Sequence, residues 1–182
     1  MGDTPTLLLI TGPPGTGKST VAEAAADRLH APVLAWDWVM AGLTPFEEIQ
    51  AALRSVDPVR ARGVGWSMLR NLAVAQLRRG RSAVLDGCAR DPEIDGTREV
   101  AAGEGVACRV VVTRCRDAAV HRSRIEGRTR DIPGWYELDW GHVAGFLHRW
   151  DEPTGADLYL DATDPLPANL ARLDALLLES GV

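Results

Sequence analysis

Lysine is almost missing from this 182-residue chain: of its 20 Lys and Arg residues, Lys18 alone is a lysine and every other one is an arginine. A surface position would tolerate either residue, so the one place that resists arginine is marked out chemically. The common guanine-nucleotide switches need an Asn-Lys-x-Asp motif, and a chain with no second lysine cannot supply it. Cysteine is scarce too. Cys88, Cys108 and Cys115 stand too far apart for a Cys-x-x-Cys pair, which argues against a disulfide framework or a zinc site and fits reduced thiols acting as small apolar residues. Basic excess is absent: the net charge of −5 leaves no surface that advertises nucleic acid. No apolar run reaches membrane-spanning length, and no signal peptide precedes the first apolar segment. Met1-Gly2-Asp3-Thr4-Pro5-Thr6 matches the bare myristoylation pattern, but Thr6 already opens a strand and no polybasic patch supports an anchor. The expected location is the cytoplasm. His30, His121, His142 and His148 show no metal-pair spacing, so structural duty is expected of them. Repeats, linkers and low-complexity tracts are missing, and 46% hydrophobic residues suffice for one core, so residues 1–182 are expected to form one domain.

What is present begins with the surroundings of Lys18. Gly12-Pro13-Pro14-Gly15-Thr16-Gly17-Lys18-Ser19 follows directly on Leu7-Leu8-Leu9-Ile10, an all-apolar run of the kind buried on both faces of a parallel sheet. After it, Val21 to Leu29 reads as an Ala-rich helix. Strand, glycine-rich loop and helix in that order are the context of a Walker A phosphate-binding loop. The glycines allow positive φ and close approach of backbone to phosphate. The N–H groups of Gly15 to Ser19 form an anion nest at a helix N-terminus. A flexible ammonium at Lys18 can lie between the β- and γ-phosphates, Ser19 is expected to ligate Mg²⁺, and Thr20 to reach the α-phosphate. ATP binding is the expectation.

The rest of the chain alternates. Pro32 to Ala35 reads as a second strand ending at Trp36-Asp37-Trp38, and Thr44-Pro45 as the N-cap and first position of a helix over Phe46 to Leu53. An amphipathic helix is expected from about Arg60 to Arg79, stopping at Gly80. Ser82 to Leu85 forms a third strand ending at Asp86, and Asp91-Pro92 opens a helix to about Ala102. Cys108 to Thr113 is a fourth strand, followed by a helix over Asp117 to Glu126. Leu158 to Leu160 is a fifth strand, and Leu166 to Leu178 a closing helix. This alternation predicts an α/β fold, a three-layer α/β/α sandwich around a five-stranded parallel sheet. Ligands gather at the carboxyl ends of such strands, where Lys18, Asp37 and Asp86 fall.

The chemistry follows from what flanks these residues. ATPases of the AAA+ type carry an Asp-Glu pair after the third strand, with Glu polarising water, and a further helical domain. Here Asp86 is followed by Gly87, so phosphoryl transfer to a bound acceptor is the better reading. Arg124-Ile125-Glu126-Gly127-Arg128 ends a helix and places two arginines on one face, one able to stack on adenine and one to reach the transferring phosphoryl. It leads into a loop rich in Arg, Gly and Trp, a lid over about 127–140 to which Arg130, Trp135 and Trp140 belong. Asp86 is expected to hold a Mg²⁺-bound water, and Arg90, just beyond it, to face the acceptor.

Arg124-Ile125-Glu126-Gly127-Arg128 is similar to the start of the adenylate-kinase lid, and Asp86-Gly87-Cys88-Ala89-Arg90 to that family's Asp-Gly-Phe-Pro-Arg. The chain thus resembles the nucleoside-monophosphate-kinase branch of P-loop NTPases. In layout it looks more like compact small-molecule and zeta-toxin-like kinases, including chloramphenicol phosphotransferase and the kinase domain of polynucleotide kinase. It also resembles proteins grouped as AAA-family ATPases. The resemblance implies a catalytic aspartate after the second strand, which is Asp37, and an adenine-wrapping segment at Asp161-Ala162-Thr163-Asp164-Pro165. Asp37 can instead cap a helix or face solvent, and the general-base and metal duties of Asp37 and Asp86 can be exchanged. Adenylate-type and polynucleotide kinases carry an arginine three residues after that aspartate, where this chain has Met40. Trp36 and Trp38 flank Asp37, with Phe46 and Trp66 nearby in sequence, which suits an uncharged or partly apolar alcohol better than a second phosphate. The reading is an ATP- and Mg²⁺-dependent kinase acting on a hydroxyl of a small molecule, such as an antibiotic-like alcohol. In it Lys18, Asp37, Asp86 and Arg128 carry catalysis, Gly12 to Thr20 with Arg124 and Arg128 bind nucleotide, and Asp37, Trp38 and Arg90 bind the acceptor. A nucleoside or nucleotide kinase and an ATP-binding module without an acceptor are the alternatives, and monomer or homodimer stays open.

Overall fold

The computed structural model describes residues 4–178, so the Met1-Gly2-Asp3 start of the myristoylation pattern lies outside the described residues. Five parallel strands form one sheet in the order β2-β3-β1-β4-β5. They are β1 (Thr6–Thr11), β2 (Val33–Ala35), β3 (Ala83–Asp86), β4 (Ala107–Arg114) and β5 (Leu158–Asp161). The helices are α1 (Lys18–Leu29), α2 (Trp36–Ala41), α3 (Glu47–Ser55), α4 (Pro58–Leu77), α5 (Asp91–Gly103), α6 (Ala118–Glu126), α7 (Trp140–Leu147) and α8 (Leu166–Leu178).

The apolar run of β1 is central and fully buried because both of its faces are covered. Leu7 and Leu9 pack with Trp66 and Leu69 of α4 and Ile94 of α5, while Leu8 and Ile10 pack with Val21 and Ala22 of α1 and Leu173 of α8. Period-two alternation of a strand buried on both sides thus feeds two cores, one per face. Burying each leucine contributes about 1.5–3 kcal/mol, and the two layers hold all five strand ends on one side.

Two local expectations are corrected. Trp36-Asp37-Trp38 is not merely where β2 ends; it opens α2, a helix of six residues absent from the sequence reading, with Asp37 in its first turn. Nor does Thr44 cap α3, whose N-cap is Phe46 without a side-chain bond. The Thr44 hydroxyl donates instead to the Ala41 carbonyl, 2.7 Å away, closing the turn after α2. A hydroxyl of this kind satisfies whichever backbone partner lies nearest, and here the preceding turn wins. No helix among the described residues is long and apolar enough to cross a membrane.

Candidate active site

The loop between β1 and α1 takes the backbone path its glycines allow. Gly12, Gly15 and Gly17 have φ of 142°, 82° and 85°. A methyl group on Gly12 would lie 2.0 Å from the Thr113 carbonyl oxygen, and one on Gly15 would strike Ile125 at 2.5 Å. Hydroxyls and an imidazole then brace the loop. Thr16 Oγ1 lies 2.7 Å from both the Pro13 carbonyl and Thr113 Oγ1, and His121 Nε2 lies 2.6 Å from the Pro14 carbonyl. A carbonyl only accepts, so that imidazole nitrogen carries the proton. His121 is buried and meets Trp140 edge-on, with ring centroids 5.5 Å apart. The sequence had offered no partner for His121; its partner is the backbone of the loop.

Lys18 Nζ donates to the Pro13 carbonyl across 2.9 Å, and Ser19 Oγ to Asp86 Oδ2 across 2.9 Å. Asp86 ends β3 and Asp37 follows β2, the next strand of the sheet, so parallel register alone brings the two carboxylates to the mouth of the loop. Asp86 is 6% exposed, and its Oδ1 has no hydrogen-bond partner. Burial pushes its carboxyl above the ordinary range, opposed by the Lys18 ammonium and the Ser19 hydroxyl. A buried acceptor left unpaired beside a serine hydroxyl is a donor set that suits a hard divalent cation.

Lys18, Ser19, Asp37, Trp38, Asp86 and Arg128 share one cavity of about 760 Å³. Trp36, Trp66, Tyr136, Val143 and Phe146 supply apolar wall. Gly87 makes the tryptophan wall possible, since a Cβ there would sit 3.0 Å from both Trp36 and Trp66. Residues 127–139 cross this cavity as irregular chain between α6 and α7. The loop is shaped by Glu137, whose Oε1 accepts from the N–H groups of Arg130 and Asp131. Arg130 Nη1 donates to Asp37 Oδ2 at 2.5 Å, and only 7% of the Arg130 side chain is exposed. Surrounding protein and the Arg130 charge pull the Arg128 guanidinium below its ordinary value, while Asp37 and Asp86 oppose this.

Two expected residues lie elsewhere. Arg90 does not line the cavity; its Nη2 donates to the Arg149 carbonyl at 3.0 Å. Arg124 does not line it either; it donates to the Ala162 carbonyl at 2.7 Å, in the turn after β5 that the resemblance assigns to adenine. Conversely, Arg62, Arg149, Tyr136 and His142 line the cavity although nothing in the linear pattern singled them out.

A family model for the AAA domain (AAA_33) matches residues 7–140. The chain belongs to the AAA domain family. Nucleotide binding goes with this P-loop family, and the match takes in the loop, both carboxylates and the whole segment crossing the cavity. Solved structures share the fold of this AAA domain protein over nearly its full length. A sugar kinase from Janibacter sp. HTCC2649 aligns at 19% identity with a TM-score of 0.68, covering 97% of this chain and 95% of its own. A gluconokinase from Sinorhizobium meliloti 1021 aligns at 22% identity with a TM-score of 0.65, covering 98% and 99%. The APS kinase of Mycobacterium tuberculosis in complex with AMPPNP and APS aligns at 20% identity with a TM-score of 0.64, covering 97% and 99%. No curated protein sequence matches the chain.

Proposed function

We propose that this AAA domain protein is an ATP- and Mg²⁺-dependent kinase that phosphorylates a hydroxyl of a small molecule. The observation that carries the reading is the shared cavity in which Asp37 and Asp86 face the Lys18 loop. Its volume of about 760 Å³ leaves room for an acceptor beside the nucleotide phosphates. Gly87 stands where an ATPase of the AAA+ type has a water-activating glutamate, and the sugar kinase, gluconokinase and APS kinase with this fold support transfer to an alcohol.

Each residue then has a role set by its place. The loop N–H groups and Lys18 receive the β- and γ-phosphates, with Lys18 leaving the Pro13 carbonyl for phosphate oxygen. Ser19 Oγ and Asp86 are the groups that would hold Mg²⁺, through the unpaired Oδ1. When bound, the ion neutralises charge on the phosphates. Asp37 accepts the acceptor's hydroxyl proton as its oxygen bonds to the γ-phosphorus and the bond from that phosphorus to the β-phosphate oxygen breaks, leaving ADP. Asp37 is the better base because Asp86 is already engaged by Ser19 and lies deeper. Arg130 must give up Asp37 Oδ2 for the base to act, while Arg128 is placed to meet charge developing on the transferred group. Arg124 secures the adenine-side turn through Ala162, and Arg90 acts on the acceptor only through Arg149. The chain works as one domain over residues 1–182, with 127–140 as its lid, in the cytoplasm.

The test is acceptor-stimulated ADP release across a panel of sugars, sugar acids, aminoglycosides, phenicols, nucleosides and nucleoside monophosphates. Asp37→Asn should lower kcat by about 10²–10⁴-fold with its fold and ATP-analogue binding retained. Wild-type turnover in that variant would remove Asp37 from the base role. ATP-analogue binding with no stimulation by any acceptor would favour a binding module.

A further inference from the structure

The cavity is lined by more cationic side chains than carboxylates. In a protein of net charge −5, Lys18, Arg62, Arg128, Arg130 and Arg149 line one cavity against Glu23, Asp37 and Asp86. Arg130 is taken by Asp37, and Lys18 and Arg128 belong with the nucleotide phosphates and Asp86. Arg62 and Arg149 remain.

Both sit on the acceptor side of the sheet. The Arg62 carbonyl accepts from Trp36 Nε1 at 3.2 Å, next to Asp37 in α2, and the Arg149 carbonyl is gripped by Arg90 just beyond β3. The nucleotide-side turn after β5 lies across β1 and β4 from them. The two arginines are tied into one relay by Glu93, a carboxylate 6% exposed. Its Oε1 accepts from Arg62 Nε at 3.0 Å and Nη2 at 2.9 Å, and its Oε2 accepts from the Arg90 N–H at 2.9 Å. Arg90 in turn holds Arg149. Glu93 thus takes one edge of the Arg62 guanidinium and leaves Nη1, while the Arg149 side chain makes no ion pair or hydrogen bond among the described residues. Arg149 is exposed at the rim of the cavity, so its guanidinium is open to an anionic group that enters there.

We propose that the acceptor is a hydroxy acid whose carboxylate is bound by Arg62 and Arg149 while its hydroxyl is presented to Asp37. Counting Glu93 against Arg62, the wall carries one net positive charge, which matches a carboxylate monoanion better than a phosphate dianion. The tryptophan wall between the two charged ends takes the carbon skeleton. This deepens the kinase reading and rests on it for which end of the cavity holds the acceptor.

The test measures binding apart from turnover. Wild-type protein saturated with AMPPNP and Mg²⁺ is titrated, by tryptophan fluorescence and thermal shift, with mandelate, glycerate and gluconate, with the primary amide of each, and with glycerol phosphate. At least one acid should bind tighter than its amide and tighter than glycerol phosphate. Arg149→Gln and Arg62→Gln should each weaken that acid by roughly 10- to 100-fold, leaving the thermal shift from AMPPNP unchanged as a fold control. Amides binding as well as acids, no acid binding at all, or acid affinity unchanged in both variants overturns the proposal. A preference for glycerol phosphate overturns the carboxylate assignment. Arginine-dependent acid binding without ADP formation sinks the kinase reading and leaves the charge of the ligand standing.

Discussion

Replacing Asp86 by asparagine should make the nucleotide-free protein more stable and the enzyme inactive. The side chain is 6% exposed, one oxygen accepts from Ser19, and the other has no partner. An unpaired buried acceptor costs about 1–3 kcal/mol, and more when charged. Asparagine keeps the shape, removes the charge, and still accepts from the Ser19 hydroxyl; its neutral NH2 group takes the place of the orphan carboxylate oxygen, and the loss is the attraction to Lys18. A net gain of about 1–2 kcal/mol corresponds to a melting temperature raised by about 2–8 °C for a chain of this size. The pH dependence has a definite sign. Burial raises the folded carboxyl above its ordinary value of 3.8, so between that value and the raised one the native state binds more protons than the unfolded state. Wild-type stability therefore falls as pH rises through this window, and the advantage of Asp86→Asn is greatest at neutral pH and shrinks on acidification. Differential scanning fluorimetry without metal or nucleotide, repeated over a pH series, measures both effects. Adding Mg²⁺ and AMPPNP should reverse the order, since only the wild type regains a partner for the orphan oxygen. A variant that melts below the wild type at neutral pH without ligands, or whose advantage grows toward acid, would refute the reasoning.

His121→Ala should remove the donor to the Pro14 carbonyl, cost about 1–3 kcal/mol, and raise KM for ATP more than it lowers kcat. His121→Gln, which keeps an N–H donor, should recover part of that loss; equal KM values in both variants would deny the bracing role. Burial pushes the Cys108 thiol up to about 11, so at pH 8 only roughly one molecule in a thousand carries the thiolate. Iodoacetamide should leave Cys108 unmodified in folded protein and alkylate it in urea, as mass spectrometry of the digested chain would show.

The parts legible in the sequence were those governed by local rules. An apolar run followed by a glycine loop specifies β1 and the start of α1 without tertiary information, and Leu166 to Leu178 carries its helical period plainly. Asp37 and Asp86 could be placed in advance because parallel strands deliver their ends to one side. The six residues of α2 are too few to show a period, and two bulky tryptophans beside β2 mimic strand composition. Arg90 and Arg124 were set at the right ends of their elements, yet each side chain found a backbone carbonyl that spacing alone cannot reveal. Arg62 and Arg149 are 87 positions apart in the numbering and line one cavity because α4 and the turn after α7 both border it, a fact of packing rather than of pattern.

The chain's one side-chain amine lies inside the loop that grips phosphate, turned back onto the Pro13 carbonyl at 2.9 Å. Amine-selective acylation, which on most proteins scatters over the surface, becomes on this side-chain inventory a single-site reaction. Its yield at Lys18, told apart from acylation of the α-amino group by the mass of the digested peptides, counts the molecules whose loop is empty without any label on the ligand.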